Sequence, residues 1–247
     1  MNLSVACAGL VGNQKNPSSS RGPAEILEEI IQDERARSDF DPREPRVSAI
    51  GYCQRKQVAR AHGIFMDYFP WYYGEMGHAL QHRAFLRFKR RYVDAEEEVS
   101  VPHAVGTCHP DIYLPTERLA IQVKTGSDNK ANRANFDAAN REQCLLEWAS
   151  WRGAGHAITQ DGRRIEGVPE TYWLLLLGRE SAGRVMGQSR VKWDPIRAAR
   201  LQARLLETHA YIESETLPPV PSPMPTQECQ GFGTGILCPM YEHCHGK

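Results

Sequence analysis

The spacing of apolar residues along the chain predicts helices before and after a short sheet. Apolar residues recur every three or four positions within 24–40 and within 74–92, as expected for helices with one buried face. The buried face of the second helix is predicted to consist of Leu80, Ala84, Phe85 and Phe88. Further helices are predicted around Cys53, from about 132 to 151 and from about 195 to 213.

Short apolar runs between 96 and 127 predict a small meander of strands. The runs are EEVSVPHAV, DIYL and LAIQVKT, and they are separated by Gly106, Pro110 and the sequence PTER, which are turn signals. A continuous apolar run at 171–179, TYWLLLLGR, predicts a central strand that is covered on both faces, and 184–193 is a candidate for a further strand. Long helices around a short mixed sheet indicate α/β architecture.

Glycine, serine and proline mark the two ends of the predicted core. Residues 12–23 read GNQKNPSSSRGP, and the tail contains the proline-rich LPPVPSPMPTQEC followed by the glycine-rich CQGFGTGILCPMYEHC. Because the tail cannot bury much apolar surface, something other than a hydrophobic core must order it. The predicted organisation is a flexible lead (1–23), a helical segment (24–73), a core domain (74–215) and a tail (216–247).

Composition and charge are typical of a soluble protein from a reducing compartment. The chain has 247 residues, and its 30 Lys and Arg balance its 30 Asp and Glu, so binding of nucleic acid must come from local basic patches such as 83–91. No apolar run approaches the roughly 20 residues needed to cross a bilayer, and the first residues lack the pattern of a secretory signal. We expect a cytoplasmic protein whose clustered cysteines hold metal rather than form disulfides.

Asp111, Gln122 and Lys124 carry the candidate chemistry of the predicted strands. Residues two apart in a strand point to one face, so Gln122 and Lys124 are predicted to project together beside Asp111 on the neighbouring strand. Carboxylate and carbonyl oxygens are ligands for Mg²⁺ or Mn²⁺, and such an ion binds a phosphate and activates an attacking water. Lys124 would orient that water or stabilise the charged phosphate. The alternative interpretation is that these are solvent-facing strand residues.

The order and spacing of the motifs resemble the RecB-like branch of the PD-(D/E)xK nucleases over residues 46–245. The matching elements are a G-x-x-x-H motif at 74–78, the GTCHPD turn at 106–111, the IQVK strand at 121–124 and a following helix with Gln143. The resemblance implies a restriction-endonuclease-like core, in which a short mixed sheet is flanked by helices. A lone helical histidine without this context is more often a packed or exposed residue.

Site roles follow from this resemblance residue by residue. His78, Asp111 and Gln122 correspond to metal ligands, Lys124 to the catalytic lysine, and Gln143 to a helical glutamine that assists near the site. Gln122 belongs both to the metal set and to the catalytic set, because it occupies the acidic position of the strand motif.

The cysteines resemble those of the CRISPR-associated Cas-four exonucleases and of the related AddB nuclease module. These families place one cysteine before the nuclease core and three after it, as SAIGYCQRKQVA and CQGFGTGILCPMYEHC do in this chain. Four thiolates hold a 4Fe-4S cluster in those families, which implies that the cluster ligands are Cys53, Cys229, Cys238 and Cys244. The cluster would tie the tail to the helix around Cys53.

Two departures from the family pattern leave alternatives open. Gln122 stands where the family has Glu or Asp, so one formal negative charge is lost, and the divalent cation is held less tightly unless other oxygens compensate. The spacing between Cys229 and Cys238 is longer than in these relatives, so zinc is an alternative to an iron-sulfur cluster. His243 and His245 are alternative ligands for such a metal.

These features predict a DNA exonuclease that acts on single strands or DNA ends with Mg²⁺ or Mn²⁺. Arg83 and Arg87 would contact phosphates, and Tyr72 would stack on bases unless the aromatic run 71–73 belongs to the core. The alternative function is a catalytically weak, nuclease-derived subunit that binds DNA or helps to assemble a complex. Candidate partners besides DNA are CRISPR integration proteins or a recombination helicase, and no membrane is expected.

Overall fold

The structure, a computed structural model, describes residues 45–50, 52–64, 71–127, 133–220, 238, 240, 241 and 244, and for 71–74 and 133–137 it describes the backbone alone. These residues belong to the unit Asp41–Lys247. The helices are α1 (Gln54–Ala61), α2 (Trp71–Arg91), α3 (Arg133–Ala154) and α4 (Pro195–Glu213), and a short 3-10 helix covers Val47–Ala49. The strands are β1 (Glu96–Glu97), β2 (Val101–His103), β3 (Gly106–Cys108), β4 (Ile112–Leu114), β5 (Leu119–Gly126), β6 (His156–Ile158), β7 (Arg164–Glu166), β8 (Thr171–Gly178) and β9 (Arg184–Val191).

A 5-stranded mixed sheet with the order β1-β4-β5-β8-β9 forms the centre of the fold. Strands β1, β4 and β5 pair in antiparallel fashion, β5 and β8 are parallel, and β9 is antiparallel to β8. Parallel neighbours require a long crossover connection, and α3 with the β6–β7 hairpin supplies it between β5 and β8. The predicted α/β architecture is confirmed, and the apolar run at 171–179 is an interior strand of the sheet.

Alternation along β5 directs its side chains into different hydrophobic clusters on the two faces of the sheet. Ile121 and Val123 pack with residues of α2, whereas Ala120 packs with residues of α3. Since successive side chains point to opposite faces, Gln122 lies on the face of Ala120, toward α3. The α2 residues in the first cluster are those that the sequence predicts, namely Leu80, Ala84, Phe85 and Phe88.

The helices agree with the predicted segments wherever the structure describes them. α4 begins at Pro195 because Asp194 accepts a hydrogen bond from the backbone N–H of Arg197 at 2.9 Å, and proline suits the first helical turn. Cys53 is the residue that precedes α1, not a member of the helix. The predicted helix at 24–40 lies outside the described residues. No helix in the described ranges has the length and apolar character to span a membrane.

The β6–β7 hairpin is an element that the sequence interpretation missed. Ile158 pairs with Arg164, and the intervening turn uses Gly162 with a φ of 81°. The hydroxyl of Thr159 accepts a hydrogen bond from the backbone N–H of Arg163 at 2.9 Å and closes this turn. Its strands are too short for a clear alternating pattern, but the Asp-Gly pair before Arg163 is a turn signal that could have revealed it.

Candidate active site

Asp111 lies in the turn before β4 and is bonded to the neighbouring strand β5. Its Oδ2 accepts hydrogen bonds from Nε2 of Gln122 at 2.7 Å and from the backbone N–H of Val123 at 2.6 Å. The side chains of Asp111 and Gln122 are buried, with 7% and 2% exposed. The two residues therefore lie together, as the strand pattern predicts, and neither is solvent-facing. Their role as metal ligands stays a prediction.

Burial makes the Asp111 carboxyl hard to ionise. Desolvation raises the pKa of Asp111 from 3.8 to about 7, and the positive charge of Lys124 opposes this rise. The negative charges of Glu147 and Glu98 add to it, whereas the hydrogen bond from Val123 opposes it. Near neutral pH this carboxyl is close to the point at which it loses its proton, and a cation bound beside it would favour the charged form.

Lys124 is partly buried on the same face of β5, two residues after Gln122. Its positive charge opposes the rise in the pKa of Asp111, and it also opposes the rise in the pKa of Glu147, a residue of α3. A single lysine therefore acts electrostatically on two buried carboxyl groups, which come from the turn before β4 and from the helix that covers this face of the sheet.

Glu147 is a residue of this site that the sequence interpretation missed. It is 1% exposed and accepts hydrogen bonds from Nε2 of Gln143 at 2.7 Å and from the hydroxyl of Tyr172 on β8. Burial raises the pKa of Glu147, and the bonds from Tyr172 and Gln143 oppose the rise. The missed signal is a lone charged residue within the apolar run CLLEWASW, at a helix position that faces the sheet.

Two buried amide oxygens of the site, Oε1 of Gln122 and Oε1 of Gln143, have no hydrogen-bond partner in the part of the chain that the structure describes. A buried acceptor without a partner is costly, and carbonyl and carboxylate oxygens are the ligands of hard divalent cations. These oxygens and the Asp111 carboxyl fit Mg²⁺ or Mn²⁺ chemically. The described ranges contain no group of three or more His, Cys, Asp or Glu that could hold a metal ion.

The remaining predicted site residues of the core lie on α2. This helix approaches β5 closely, since a β-carbon on Gly77 would lie 3.3 Å from Oγ1 of Thr125. His78, Arg83 and Arg87 are exposed. Because α2 packs on the face of Ile121 and Val123, it covers the side of the sheet opposite to Gln122. The metal role of His78 and the DNA contacts of the arginines stay predictions, and the side chain of Tyr72 lies outside the described residues.

The predicted cluster ligands are only partly visible. Cys53, Cys238 and Cys244 are partly exposed and carry no disulfide, and Cys229 lies outside the described residues. The described ranges show no iron-sulfur element, since no metal-binding group of cysteines occurs among them. The iron-sulfur assignment therefore stays a prediction.

Hydrogen bonds hold the start of the tail beside the α1 region. Nη1 of Arg55, on α1, donates to the carbonyl oxygen of Pro218, and Nη2 of Arg204, on α4, donates to the carbonyl oxygen of Tyr52. Tyr52 immediately precedes Cys53 in the chain. The backbone that leads into the tail therefore lies next to the segment that carries the first predicted cluster ligand.

Comparison with known proteins assigns the chain to no family. No model of a protein family matches it, and no curated protein has a significantly similar sequence. Among solved structures, it is similar to a phage related exonuclease from Haemophilus somnus 129PT, with a TM-score of 0.48 and 12% identity, over 70% of this chain and 94% of that chain. It is also similar to the protein SSO0001, with a TM-score of 0.47 and 14% identity, over 77% of this chain and 86% of that one. Membership of the RecB-like nucleases, and of the Cas-four branch in particular, stays a prediction.

Proposed function

We propose that the protein is a divalent-cation-dependent DNA nuclease that hydrolyses phosphodiester bonds in single-stranded DNA or at DNA ends. The observation that carries the proposal is the buried contact between Asp111, in the turn before β4, and Gln122 on β5, beside Lys124. Burying a carboxyl in a protein interior is unfavourable, and such groups with a raised pKa are more frequent at functional sites than elsewhere. Carboxyl, amide oxygen and lysine together match the needs of phosphodiester hydrolysis.

Each side chain of the site has a distinct task in this proposal. The Asp111 carboxylate and Oε1 of Gln122 would hold Mg²⁺ or Mn²⁺, with Gln143 as a further candidate ligand. The bound cation would supply Lewis acidity toward a phosphate oxygen and toward water. The ammonium group of Lys124 positions the attacking water and stabilises the negative charge that develops on the phosphate.

The exposed face of α2 is the proposed path of the DNA backbone. Arg83 and Arg87 are both exposed and lie one helical turn apart, so their guanidinium groups can contact successive phosphates. The chain has a formal net charge of +0, and attraction of DNA therefore depends on local basic groups of this kind. Tyr72, in the first turn of α2, is the candidate for stacking on an unpaired base.

We also propose that Cys53, Cys229, Cys238 and Cys244 hold a 4Fe-4S cluster, with zinc as the alternative metal. The contacts that place the start of the tail next to α1 support a closure of this kind. Anaerobically purified protein is expected to be brown and to contain iron and sulfide. A colourless preparation with neither iron nor zinc would contradict the proposal. By the same resemblance, CRISPR integration proteins or a recombination helicase are proposed as partners.

The direct test of nuclease function is cleavage of end-labelled DNA by the purified protein. Single-stranded and double-stranded substrates are incubated with Mn²⁺, with Mg²⁺ or with EDTA. We expect labelled products with either cation and none with EDTA, and the product lengths separate removal of terminal nucleotides from internal cleavage. Binding of DNA without cleavage under every condition would contradict a catalytic role.

A second candidate function, a catalytically weak DNA-binding or assembly subunit, is favoured by Gln122. Its Nε2 is the group that faces Asp111, and a glutamine lacks the negative charge that would strengthen cation binding. On this alternative, the site retains the geometry of a nuclease but binds the cation too weakly for turnover.

Gln122→Glu separates the two functions. The variant places a second carboxyl within hydrogen-bond distance of Asp111, so we expect a lower melting temperature without cation and a larger increase in it on addition of Mn²⁺. Cleavage that rises by tenfold or more would favour the weak subunit, whereas an unchanged or lower rate would favour a working nuclease. Gln188→Glu, an exposed position on β9, is the matched control and is expected to change neither property.

A further inference from the structure

Glu147 makes a contact that determines how a neighbouring amide is oriented. It lies one helical turn after Gln143 on α3, and its Oε1 accepts a hydrogen bond from Nε2 of Gln143 at 2.7 Å. Its other oxygen, Oε2, accepts from the hydroxyl of Tyr172. Both oxygens of the carboxyl are therefore engaged, one with the helix itself and one with strand β8, and the side chain is 1% exposed.

Because this carboxylate accepts hydrogen bonds, it determines which end of the Gln143 amide stays without a partner. A carboxylate can only accept, so it binds the nitrogen of the amide and directs the oxygen away from itself. The oxygen, Oε1 of Gln143, is buried and has no hydrogen-bond partner in the described part of the chain. In an apolar interior such an oxygen is destabilising because it lacks a hydrogen-bond donor, whereas a divalent cation would bind it as a ligand.

Electrostatics place this pair in the candidate site. The charge of Glu147 acts on Asp111, and the charge of Lys124 acts on both carboxyl groups. Cys144, next to Gln143 in the chain, is also affected by the charges of Lys124 and Asp111. The segment of α3 that carries Gln143 and Glu147 therefore faces the strand residues that form the proposed cation site.

We propose that Glu147 is a positioning residue: it holds the Gln143 amide with its oxygen, not its nitrogen, directed toward a divalent cation that is bound by Asp111 and Gln122. This inference rests on the cation site of the proposed function. It explains how a site with glutamine in place of a strand carboxylate obtains a further oxygen from α3.

Removing the acceptor at position 147 tests this role, because a glutamine there could still accept from Gln143 through its own amide oxygen. In Glu147→Leu nothing accepts from Nε2 of Gln143, so its amide is no longer held with the oxygen directed into the site. We expect the Mn²⁺ concentration for half-maximal thermal stabilisation, measured without DNA, to rise by about tenfold to a hundredfold, as is typical when a group that orients a ligand is lost. The double variant Gln143→Glu with Glu147→Gln again directs an oxygen into the site and is expected to restore the wild-type response.

Ser150→Ala is the matched control. Ser150 is also buried on α3, and its hydroxyl donates to the carbonyl oxygen of Leu146 at 2.9 Å. Its loss removes one buried hydrogen bond from the same helix and is expected to lower the melting temperature without changing the Mn²⁺ response. A Glu147→Leu variant that behaves like Ser150→Ala would reduce Glu147 to a purely structural residue and overturn the inference, as would a double variant that folds but does not regain Mn²⁺ binding.

A crystal structure of the wild-type protein with Mn²⁺ tests the orientation of the Gln143 amide without any variant. Oε1 of Gln143 directed at the ion supports the inference, and Nε2 directed at the ion, or no ion at Asp111, overturns it. These readouts are separate from nuclease activity: a protein that binds Mn²⁺ in this Glu147-dependent way but cleaves no DNA would refute the proposed function and leave the positioning role intact.

Discussion

Lys124→Ala is expected to lower the rate of cation-dependent DNA cleavage by about a hundredfold to a thousandfold. The positive charge of the Lys124 ammonium group acts on both Asp111 and Glu147. In the proposed mechanism this group stabilises the negative charge that develops on the phosphate. The loss is expected in turnover at saturating Mn²⁺ and DNA, because Lys124 acts on the transition state and is not a ligand of the cation. Single-turnover cleavage of end-labelled DNA measures it.

Lys192→Ala is the control for this variant. Lys192 is exposed just after β9 and carries the same charge, so its removal is expected to leave the cleavage rate within about twofold of the wild type. Affinity for DNA, measured in Ca²⁺ or EDTA, is expected to be similar in both variants. If Lys124→Ala cleaves DNA at the wild-type rate, the assignment of the catalytic lysine is wrong.

Asp111→Asn is expected to abolish the response to Mn²⁺ and, at the same time, to stabilise the cation-free protein above neutral pH. The amide removes the charge that the cation needs, but its oxygen can still accept the hydrogen bonds from Gln122 and Val123. A residue retained for function at the expense of stability gives this combination of effects. Thermal melting with EDTA and with Mn²⁺ measures both.

The pH dependence follows from the raised pKa of Asp111. Between about pH 4 and pH 7 the unfolded chain has released this proton and the folded protein still holds it, so the free energy of unfolding falls as the pH rises through this window. A shift from 3.8 to about 7 corresponds to a loss on the order of 4 kcal/mol at pH 8, which Asp111→Asn is expected to remove. Part of the slope is expected to remain, because burial also raises the pKa of Glu147.

Asp94→Asn is the control with the opposite sign. The hydroxyl and the backbone N–H of Thr116 donate to Asp94 and lower its pKa, so its charged form stabilises the fold above its unfolded pKa. Replacing Asp94 is therefore expected to lower the free energy of unfolding at pH 8, not to raise it. An Asp111→Asn variant that is destabilised at pH 8 in EDTA would show that the wild-type carboxyl is not strained by its burial.

Local patterns predicted most of the secondary structure that surrounds the site. The helix predicted from about 195 to 213 is observed at Pro195–Glu213, and an aspartate cap and a proline fix its start through short-range contacts. Gln122 and Lys124 were assigned to one face because a strand alternates, and the burial of Ile121 and Val123 on the opposite face confirms this. Such features depend on neighbours in sequence and need no knowledge of the fold.

The sequence by itself determined the main helices, the long strands β5 and β8 and the position of Asp111 beside the β5 motif, because periodicity and turn residues act locally. Only the tertiary structure decided what α3 contributes to the site. Glu147 belongs to the site because α3 packs on the parallel pair β5–β8. The Glu147 carboxyl thereby accepts from Gln143 on its own helix and from Tyr172 on β8. The pKa of about 7 for Asp111 likewise arises from its burial in the folded protein. Desolvation and the direction of an amide depend on groups far apart in the chain, and no local pattern records them.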